Sequence, residues 1–392
     1  MDTVYIVAGC RTPIGSFGGA LKDVSPVDLG ATVIKEAVRR AGVDPGRVDE
    51  VLLGCMLTGG HRQNPARQAA LGAGLPVTVV ATTLNMACGS GMKTVVEAAR
   101  AIRAGDANLV VAAGTESMSQ APYVSAQTRW GARMGDAALV DTLLSDGLLD
   151  AFQGYHMGVT AENVADAYGI TRAQMDDLAL ASQTKAAAAI AAGAFRDEIV
   201  PVTIKTRRGE TVVDTDEYPR ASTPEGLAAL RPAFKENGRV TAGNASGIND
   251  GAAALVLASQ AAVDELGLTP MARLIGWGQA GVDPAIMGIG PVEASRRALA
   301  MAGLGIGDLD YIESNEAFAA QAAAVGGELG WDWDKVNVHG GAIALGHPVG
   351  ASGNRIIVTL LHQLAHDASA RYGLATLCIG GGMGIATVYE KC

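Results

Sequence analysis

The amino-acid sequence predicts an α/β protein built from two duplicated halves. Short apolar segments alternate along the chain with alanine-rich segments of about 10–15 residues, a pattern typical of sheets covered by helices. Residues 25–55 and 290–316 both begin with Pro-Val-acid, continue through a helical pattern and Ala-Gly, and end in a short apolar strand. Residues 84–103 and 345–364 both place a small-residue turn before a helix. This self-similarity predicts one unit used twice, with mostly parallel strands in each half.

Composition and charge restrict the class of protein. The chain has 392 residues, of which 49% are apolar and 18% are charged, and this balance favours a large buried interior over disorder. The length suits two or three domains. The formal net charge of −10 gives no basic surface for a polyanion, so we expect no nucleic-acid partner.

The cysteines and the termini predict a cytoplasmic protein. Five cysteines without short spacings argue against a disulfide framework or a zinc site. The first ten residues have a strand pattern and not a signal-peptide pattern, and no apolar run approaches the ~18 residues of a membrane span. His362 and His366 lie one helical turn apart on an apparent surface helix, but no third ligand completes a metal site.

The middle of the chain differs from both repeats and predicts an inserted domain over the cleft between the halves. Its polar segments interrupt the alternation of strands and helices. The predicted domains are an N-terminal half at 1–118 plus 246–270, an insertion at 119–245, and a C-terminal half at 271–392.

Cys88 is the first candidate for chemistry. It follows a strand end at 82–85 and precedes a helical pattern that stops at Gly105. The amides and positive dipole at a helix N-terminus favour an anion, so this position predicts a thiol with a lowered pKa. The alternative is a buried, unreactive cysteine.

Three further residues lie at turns where the duplicated halves would meet. His347 precedes Pro348 in a glycine-rich turn that the repeat aligns with the Cys88 turn, and a Cys–His pair is the arrangement that activates a nucleophile. The alternative for His347 is a surface loop. Cys378 leads into a glycine-rich loop whose amides could face an oxyanion, although a structural cysteine or a dinucleotide loop also fits. Asn315 could orient a water or cap a helix.

Several segments together resemble the signature sequences of the thiolase family. They cover the chain from end to end in family order, and they occupy residues 11–19, 85–92, 241–254, 313–321, 340–355 and 378–384. The resemblance is strongest to the biosynthetic members of the family. It implies a thiolase-like five-layer α/β/α/β/α fold from two duplicated halves with an inserted loop domain.

The resemblance also implies roles for individual residues. Cys88 would carry the acyl group, and His347 would activate it and form one oxyanion hole with a water held by Asn315. Cys378 would be the acid/base, with its pKa brought toward neutral by the amides of the glycine-rich loop. The amides of Cys88 and Gly380 would form a second oxyanion hole. Coenzyme A would be substrate and product, and no other cofactor or metal is implied. The implied acyl-CoA contacts are Leu148, His156, Met157, Arg220, Phe234, Ala242, Ser246, Ala317 and Phe318.

The implied activity is reversible condensation of two acetyl-CoA molecules to acetoacetyl-CoA, or thiolysis of 3-ketoacyl-CoA, through a ping-pong cycle. A longer-chain 3-ketoacyl-CoA thiolase remains an alternative, although the bulk of Met157 and Phe318 favours short acyl groups. A decarboxylating ketoacyl synthase, which resembles this chain but carries histidine at the position of Cys378, and a non-catalytic acyl-CoA binder are further alternatives. Family members form dimers or tetramers, so we expect a homo-oligomer with contacts within 120–145.

Overall fold

The computed structural model describes residues 3–206 and 209–392. The β-strands of these residues are β1 (Val4–Arg11), β2 (Gly15–Ser16), β3 (Glu50–Gly54), β4 (Val80–Leu84), β5 (Leu109–Ser117), β6 (Tyr123–Val124), β7 (Val140–Asp141), β8 (Val202–Thr206), β9 (Gly209–Val213), β10 (Asn249–Ser259), β11 (Ala272–Gly281), β12 (Tyr311–Ser314), β13 (Tyr372–Ile379) and β14 (Met383–Lys391). The α-helices are α1 (Pro26–Ala41), α2 (Pro65–Gly72), α3 (Ser90–Ala104), α4 (Met157–Ala167), α5 (Arg172–Ala192), α6 (Pro224–Ala228), α7 (Gln260–Leu266), α8 (Gly290–Ala302), α9 (Ala319–Leu329), α10 (Ala342–Leu345) and α11 (Ser352–His366).

The two halves have the same strand plan. In the N-terminal half the strand order is β1-β10-β5-β3-β4, and in the C-terminal half it is β11-β14-β13-β12. β1 and β11 pair with each other over a short stretch, Tyr5 opposite Arg273 and Ile6 opposite Ala272, and join the two sheets edge to edge. The predicted duplication is therefore confirmed by the fold.

Strand direction differs from the mostly parallel sheets that the sequence predicted. β3 is parallel to β4 and β5, and β12 is parallel to β13, but β10 and β14 are antiparallel to both of their neighbours. The physical reason for the antiparallel direction is the way the chain connects each of these strands to the preceding one. β14 returns directly from β13 through a tight turn in which Gly381 and Gly382 have φ of 86°, and β10 enters from the insertion without a crossover helix.

Five layers result from the packing of helices on the sheets. α1 and α2 bury their apolar side chains against one face of the N-terminal sheet, and α8 and α9 do the same on the C-terminal sheet. α3 and α11 lie between the sheets, where their side chains share one core with strands of both halves. The predicted five-layer architecture is confirmed.

α11 is a buried central helix, and its expected position on the surface was wrong. Its residues from Ser352 to Leu361 are buried, and only its last turn reaches solvent at His366. Both sheets cover the helix, whereas one amphipathic face is all that a surface helix would need. Within the described ranges, no group of three or more His, Cys, Asp or Glu side chains could hold a metal ion.

The region between β5 and β10 packs mainly on the C-terminal half. α4 and α5 contact α9, α5 also contacts α10, and together they bury an apolar cluster that includes Met157, Phe318 and Cys378. Two hairpins, β6–β7 and β8–β9, extend from this region. None of the helices in the described parts of the chain is both long and apolar enough to cross a bilayer.

The crossing of α3 and α11 should be sensitive to a single added methyl group. A Cβ on Gly353 would lie 2.2 Å from Met92 N and 2.8 Å from Met92 Cβ. We expect Gly353→Ala to lower the free energy of unfolding by about 1–3 kcal/mol, because a packed crossing cannot accept extra volume. Urea denaturation followed by circular dichroism measures the effect.

Gly327→Ala is the matched control, because Gly327 is also helical but is exposed and has nothing within 4 Å of the added Cβ. There we expect stabilisation of up to about 1 kcal/mol from helix propensity. Equal effects at the two positions would contradict the assigned crossing.

Candidate active site

One cavity of about 280 Å³ lies where the two halves and the region between β5 and β10 meet. Three of the turns that the sequence singled out contribute to its wall, through Cys88, His347 and Gly380. The whole lining comprises Ala87, Cys88, Met118, Gly147, Leu148, His156, Met157, Tyr218, Ala233, Phe234, Ala242, Ala245, Ser246, Gly247, Ile248, Met287, Ala317, Phe318, His347, Val349 and Gly380.

Cys88 sits on a sharp turn between β4 and α3, as the sequence predicted. Ala87, directly before it, has φ of 45°, a left-handed conformation that is unfavourable for alanine and persists only where neighbours enforce it. Ser90 supplies that constraint, since its Oγ accepts from Met86 N at 2.8 Å and donates to Ala87 O at 2.7 Å. The turn therefore holds the thiol at the helix N-terminus.

The Cys88 thiol meets two backbone amides, its own and that of Gly380, and both favour a negative charge on sulfur. Burial has the larger effect, however, and raises the pKa of the thiol above its usual value. The lowered pKa expected from the helix N-terminus was therefore wrong. Desolvation outweighs the two amides and favours the neutral thiol.

His347 is buried at the start of the turn that precedes α11, and it is not a surface loop residue. Its backbone N–H donates to Asn249 Oδ1 at 2.9 Å, which anchors the turn to β10. Burial, with a smaller contribution from the positive charge of Arg355, lowers the pKa of His347 to about 4. The imidazole is therefore neutral at pH 7 and able to accept a proton.

Ser352 selects the tautomer of that imidazole. Its Oγ lies 2.6 Å from His347 Nδ1 and 2.9 Å from Pro348 O. A carbonyl only accepts, so both contacts are hydrogen bonds when Ser352 donates to Pro348 O and Nδ1–H donates to Ser352. This assignment leaves Nε2 unprotonated, which is the state that a general base requires.

Asn315 lies beside the imidazole and does not cap a helix. Its Nδ2 is 3.4 Å from His347 Nε2 and 3.5 Å from Nδ1, so the amide lies alongside the ring and is directed at neither nitrogen. The cap residue of α9 is Phe318, which excludes the N-cap alternative. Asn315 Oδ1 is buried without a hydrogen-bond partner among the described residues, and Asn315 is not one of the residues that line the cavity.

Cys378 lies one residue before the end of β13 and is fully buried. Burial raises the pKa of its thiol, and the nearby Cys88 raises it further. The near-neutral pKa expected from the glycine-rich loop was therefore wrong. Cys378 does not line the cavity itself and lies in an apolar cluster with Met157 and Ala317.

Most of the predicted acyl-CoA contacts lie on this cavity. Eight of the nine line it, namely Leu148, His156, Met157, Phe234, Ala242, Ser246, Ala317 and Phe318. His156 stacks on Phe234 with ring centroids 4.5 Å apart. Arg220 is the exception. It is exposed beside the cavity, donates to Ala242 O at 3.0 Å and stacks on Tyr218, which itself lines the wall.

Sequence reasoning missed several lining residues. Met118 directly follows β5 and Ile248 directly precedes β10, where apolar residues give no signal of cavity exposure. Val349 could have been found, because it lies two residues after His347 in the same turn. Tyr218 belongs to an irregular segment whose position depends on tertiary packing alone.

The chain matches two family models in succession. Residues 4–261 match the thiolase N-terminal domain and residues 268–391 match the thiolase C-terminal domain. The fold and these matches define an acyltransferase. The chain belongs to the thiolase family, which confirms the resemblance found in the sequence.

Curated relatives and solved structures agree with this family. The acetyl-CoA acetyltransferase of Pseudomonas aeruginosa is 59% identical and that of Escherichia coli is 58% identical, each over 100% of both chains. The acetyl-CoA acetyltransferase of Bacillus anthracis has a TM-score of 0.97 at 49% identity, covering 100% of this chain and 99% of that one. Human mitochondrial 3-ketoacyl-CoA thiolase has a TM-score of 0.96 at 43% identity, with the same coverage.

Removing the Ser352 hydroxyl should weaken the base without dismantling the site. In Ser352→Ala the Nδ1–H of His347 loses its acceptor, so the unproductive tautomer becomes populated. We expect kcat to fall about 10-fold to 100-fold, part of the 10²–10⁴-fold that a positioned general base supplies. Steady-state thiolysis of acetoacetyl-CoA measures the loss.

Ser295→Ala provides the control, because Ser295 is equally buried but lies on the outer helix α8 and contacts Thr376. It should keep the parental kcat. If Ser352→Ala also keeps the parental kcat, the tautomer assignment is wrong.

Proposed function

We propose that this chain catalyses the acetyl-CoA acetyltransferase reaction, the reversible condensation of two acetyl-CoA molecules to acetoacetyl-CoA and CoA. The observation that carries the proposal is the thiol of Cys88 facing the amides of Cys88 and Gly380 in a cavity shared with His347. The acetyl preference rests on the relatives called acetyl-CoA acetyltransferases, which are 54–59% identical over nearly their whole length.

In the first half-reaction, the Cys88 sulfur attacks the thioester carbonyl while His347 Nε2 takes the thiol proton. The carbonyl oxygen becomes an oxyanion, and the amides of Cys88 and Gly380 are the donors placed to stabilise it. Collapse of this intermediate leaves the acetyl group on Cys88 and expels the CoA sulfur as a thiolate.

Cys378 is proposed to protonate that leaving thiolate. A thiol whose pKa is raised by burial is neutral at rest, and it can therefore give up a proton before it accepts one. The resulting Cys378 thiolate then removes the α-proton of the second acetyl-CoA. The enolate attacks the acetyl-Cys88 carbonyl, and the departing Cys88 sulfur recovers its proton from His347. Each proton is thus accounted for over one cycle.

The enolate needs its own donors. We propose that the protonated His347 imidazole, together with a water held by Asn315 Oδ1, stabilises the enolate oxygen. The buried amide oxygen without a protein partner supports this role for Asn315. The cycle as proposed uses coenzyme A as substrate and product, and no further cofactor or metal takes part.

Substrate binding, assembly and location complete the proposal. The eight predicted contacts on the cavity wall would hold the acyl and pantetheine portions, and Arg220 would meet the charged end of CoA outside it. Apolar side chains between β6 and β7 are exposed, with Trp130 at 85% and Met134 at 98%, which supports a homo-oligomer formed through residues 120–145. The free thiols of Cys88 and Cys378 support a reducing compartment such as the cytoplasm.

Turnover of acetoacetyl-CoA tests the proposal. With CoA present, the wild type should consume acetoacetyl-CoA, followed as loss of enolate absorbance. Cys88→Ala should lower kcat/KM by about 10⁴-fold or more, because it removes the covalent path. Mass spectrometry of the wild type with acetyl-CoA should show one acetyl group on Cys88.

Cys392→Ala is the control, because Cys392 is an exposed free cysteine at the C-terminal end of the sequence and not on the cavity. It should retain full turnover. Full turnover by Cys88→Ala would end the proposal, and condensation only with malonyl-CoA would favour the decarboxylating synthases.

A longer-chain 3-ketoacyl-CoA thiolase is the second candidate function. The structural match to human mitochondrial 3-ketoacyl-CoA thiolase supports it, as does the apolar wall around Cys88. The bulk of the Met157 and Phe318 side chains opposes it, because both line the cavity and large side chains leave less room for a longer acyl chain.

We expect kcat/KM for 3-ketohexanoyl-CoA to be about 10-fold or more below that for acetoacetyl-CoA, since each excluded methylene costs about 1–3 kcal/mol. Met157→Ala should reduce this difference by enlarging the cavity, and both substrates can be compared in the same thiolysis assay. Equal kcat/KM values for the two substrates in the wild type would favour the longer-chain enzyme.

A further inference from the structure

Glu116 is a buried carboxylate that the reaction described above does not use. It lies one residue before the end of β5 and is fully buried. Among the described residues it forms no ion pair with a lysine or arginine. Burying a carboxylate without a cation is costly, so its partners must account for its presence.

Those partners come from two other segments. Glu116 Oε2 accepts from Met56 N at 3.0 Å and from Gly350 N at 2.9 Å. Oε1 accepts from Leu57 N at 3.0 Å and from Cys55 Sγ at 3.7 Å. Met56 and Leu57 follow β3 in the N-terminal half. Gly350 belongs to the turn that begins at His347 in the C-terminal half. One side chain therefore binds the histidine turn to the half that carries Cys88.

The contact at Gly350 is close and specific. A Cβ at this position would lie 2.8 Å from Glu116 Oε2 and 2.5 Å from Thr115 O, so only glycine lets the backbone reach the carboxylate. The other end of the turn is held by Asn249, which accepts from His347 N at 2.9 Å and donates to Gly15 O at 3.0 Å. Both ends of the turn are thus anchored to the N-terminal half.

We propose that Glu116 is a positioning residue for the acyl-transfer reaction, which holds the turn of His347 against the half that carries Cys88. The inference rests on the function proposed above. It requires the ionised carboxylate, because three of the four hydrogen bonds to Glu116 are donated by backbone N–H groups and the fourth by the Cys55 thiol. An amide or a protonated acid replaces one acceptor with a donor that points at another donor.

The charge of Glu116 also affects the pKa of Cys88. This effect gives an experiment that distinguishes a positioning role of Glu116 from general support of the fold. The negative charge raises the pKa of the Cys88 thiol, although burial is the larger cause. Glu116→Gln removes that charge and should make Cys88 ionise more readily. Turnover should nevertheless fall, because the histidine turn is no longer held. Damage to the fold would also expose buried thiols such as Cys10, which loss of positioning leaves protected.

The first experiment compares wild type and Glu116→Gln in two assays. We expect kcat/KM for thiolysis of acetoacetyl-CoA to fall about 10-fold to 100-fold, the scale of a small misplacement of catalytic groups. Alkylation of Cys88 by iodoacetamide should be as fast as in the wild type or faster. Buried Cys10 reports on the fold and should remain unmodified.

Glu97→Gln is the control, because Glu97 is a carboxylate on α3 that pairs with Lys93 and Arg100 away from the cavity. It should leave both assays unchanged. Unaltered turnover in Glu116→Gln, or equal loss of turnover and alkylation, would overturn the inference. A wild type without turnover would instead refute the proposed function.

The second experiment needs no variant. Burial raises the pKa of Glu116 to about 7, and the hydrogen bonds from Leu57, Met56, Gly350 and Cys55 only partly offset it. Cys55 and Cys88 are the ionisable groups that face Glu116 from the neighbouring segments, and the thiol pKa of each is raised. The pKa of His347, in the held turn, is lowered to about 4. Cys55, Cys88 and His347 therefore do not change protonation state near pH 7.

The wild-type kcat should decline as the pH falls through about 7, because protonation of Glu116 releases a hydrogen bond. Acid unfolding would not explain such a decline. A carboxyl whose pKa is raised on folding favours the folded state at low pH and loses that contribution as pH rises toward 7. A kcat that stays level from about pH 8 to about pH 6 would overturn the inference, even if Glu116→Gln fails to fold.

Discussion

The close crossing of α3 and α11 is the constraint on which the site depends. Each helix begins directly after a reactive turn, so the crossing brings Cys88 and His347 to one cavity. The crossing is possible because glycines face it. An added Cβ on Gly91 would lie 2.3 Å from Asn354 Oδ1, and one on Gly114 would lie 2.3 Å from Gly350 O. Because glycine has no side chain, the backbones can approach each other closely at these positions.

Burial then determines the charge state of the groups so assembled. The imidazole has its pKa lowered and both thiols have theirs raised, so no ion pair exists at rest. A buried ion pair would carry a desolvation cost in every unliganded molecule. In the mechanism proposed above, charge would develop only as the Cys88 sulfur attacks a carbonyl, next to the amides of Cys88 and Gly380. Preorganised donors therefore act on the transition state more than on the resting enzyme.

The sequence predicted the local features well, since turns and repeats are encoded locally. The strand-to-helix turn at Cys88, the equivalent turn at His347 and the duplicated halves all follow from periodicity, glycine placement and self-similarity. Properties that depend on neighbours distant in sequence were predicted poorly. The direction of β10 and β14 depends on how the chain returns to the sheet. The burial of α11 depends on a second sheet that covers it. The pKa values of Cys88 and Cys378 depend on desolvation. Arg220 lies beside the cavity and not on it, because its guanidinium is held by Ala242 O and Tyr218.

Equivalent positions in the two duplicated halves have different roles. β5 and β13 occupy the same place in their sheets, each beside an antiparallel strand and a parallel one. Near the end of β13 lie Gly380, which lines the cavity, and Cys378, which is buried in the neighbouring apolar cluster. Near the end of β5 lies Glu116, which faces the histidine turn of the opposite half. Cys88 comes from one half and His347 from the other, so the contacts that join the halves determine the geometry of the proposed active site as well as the fold.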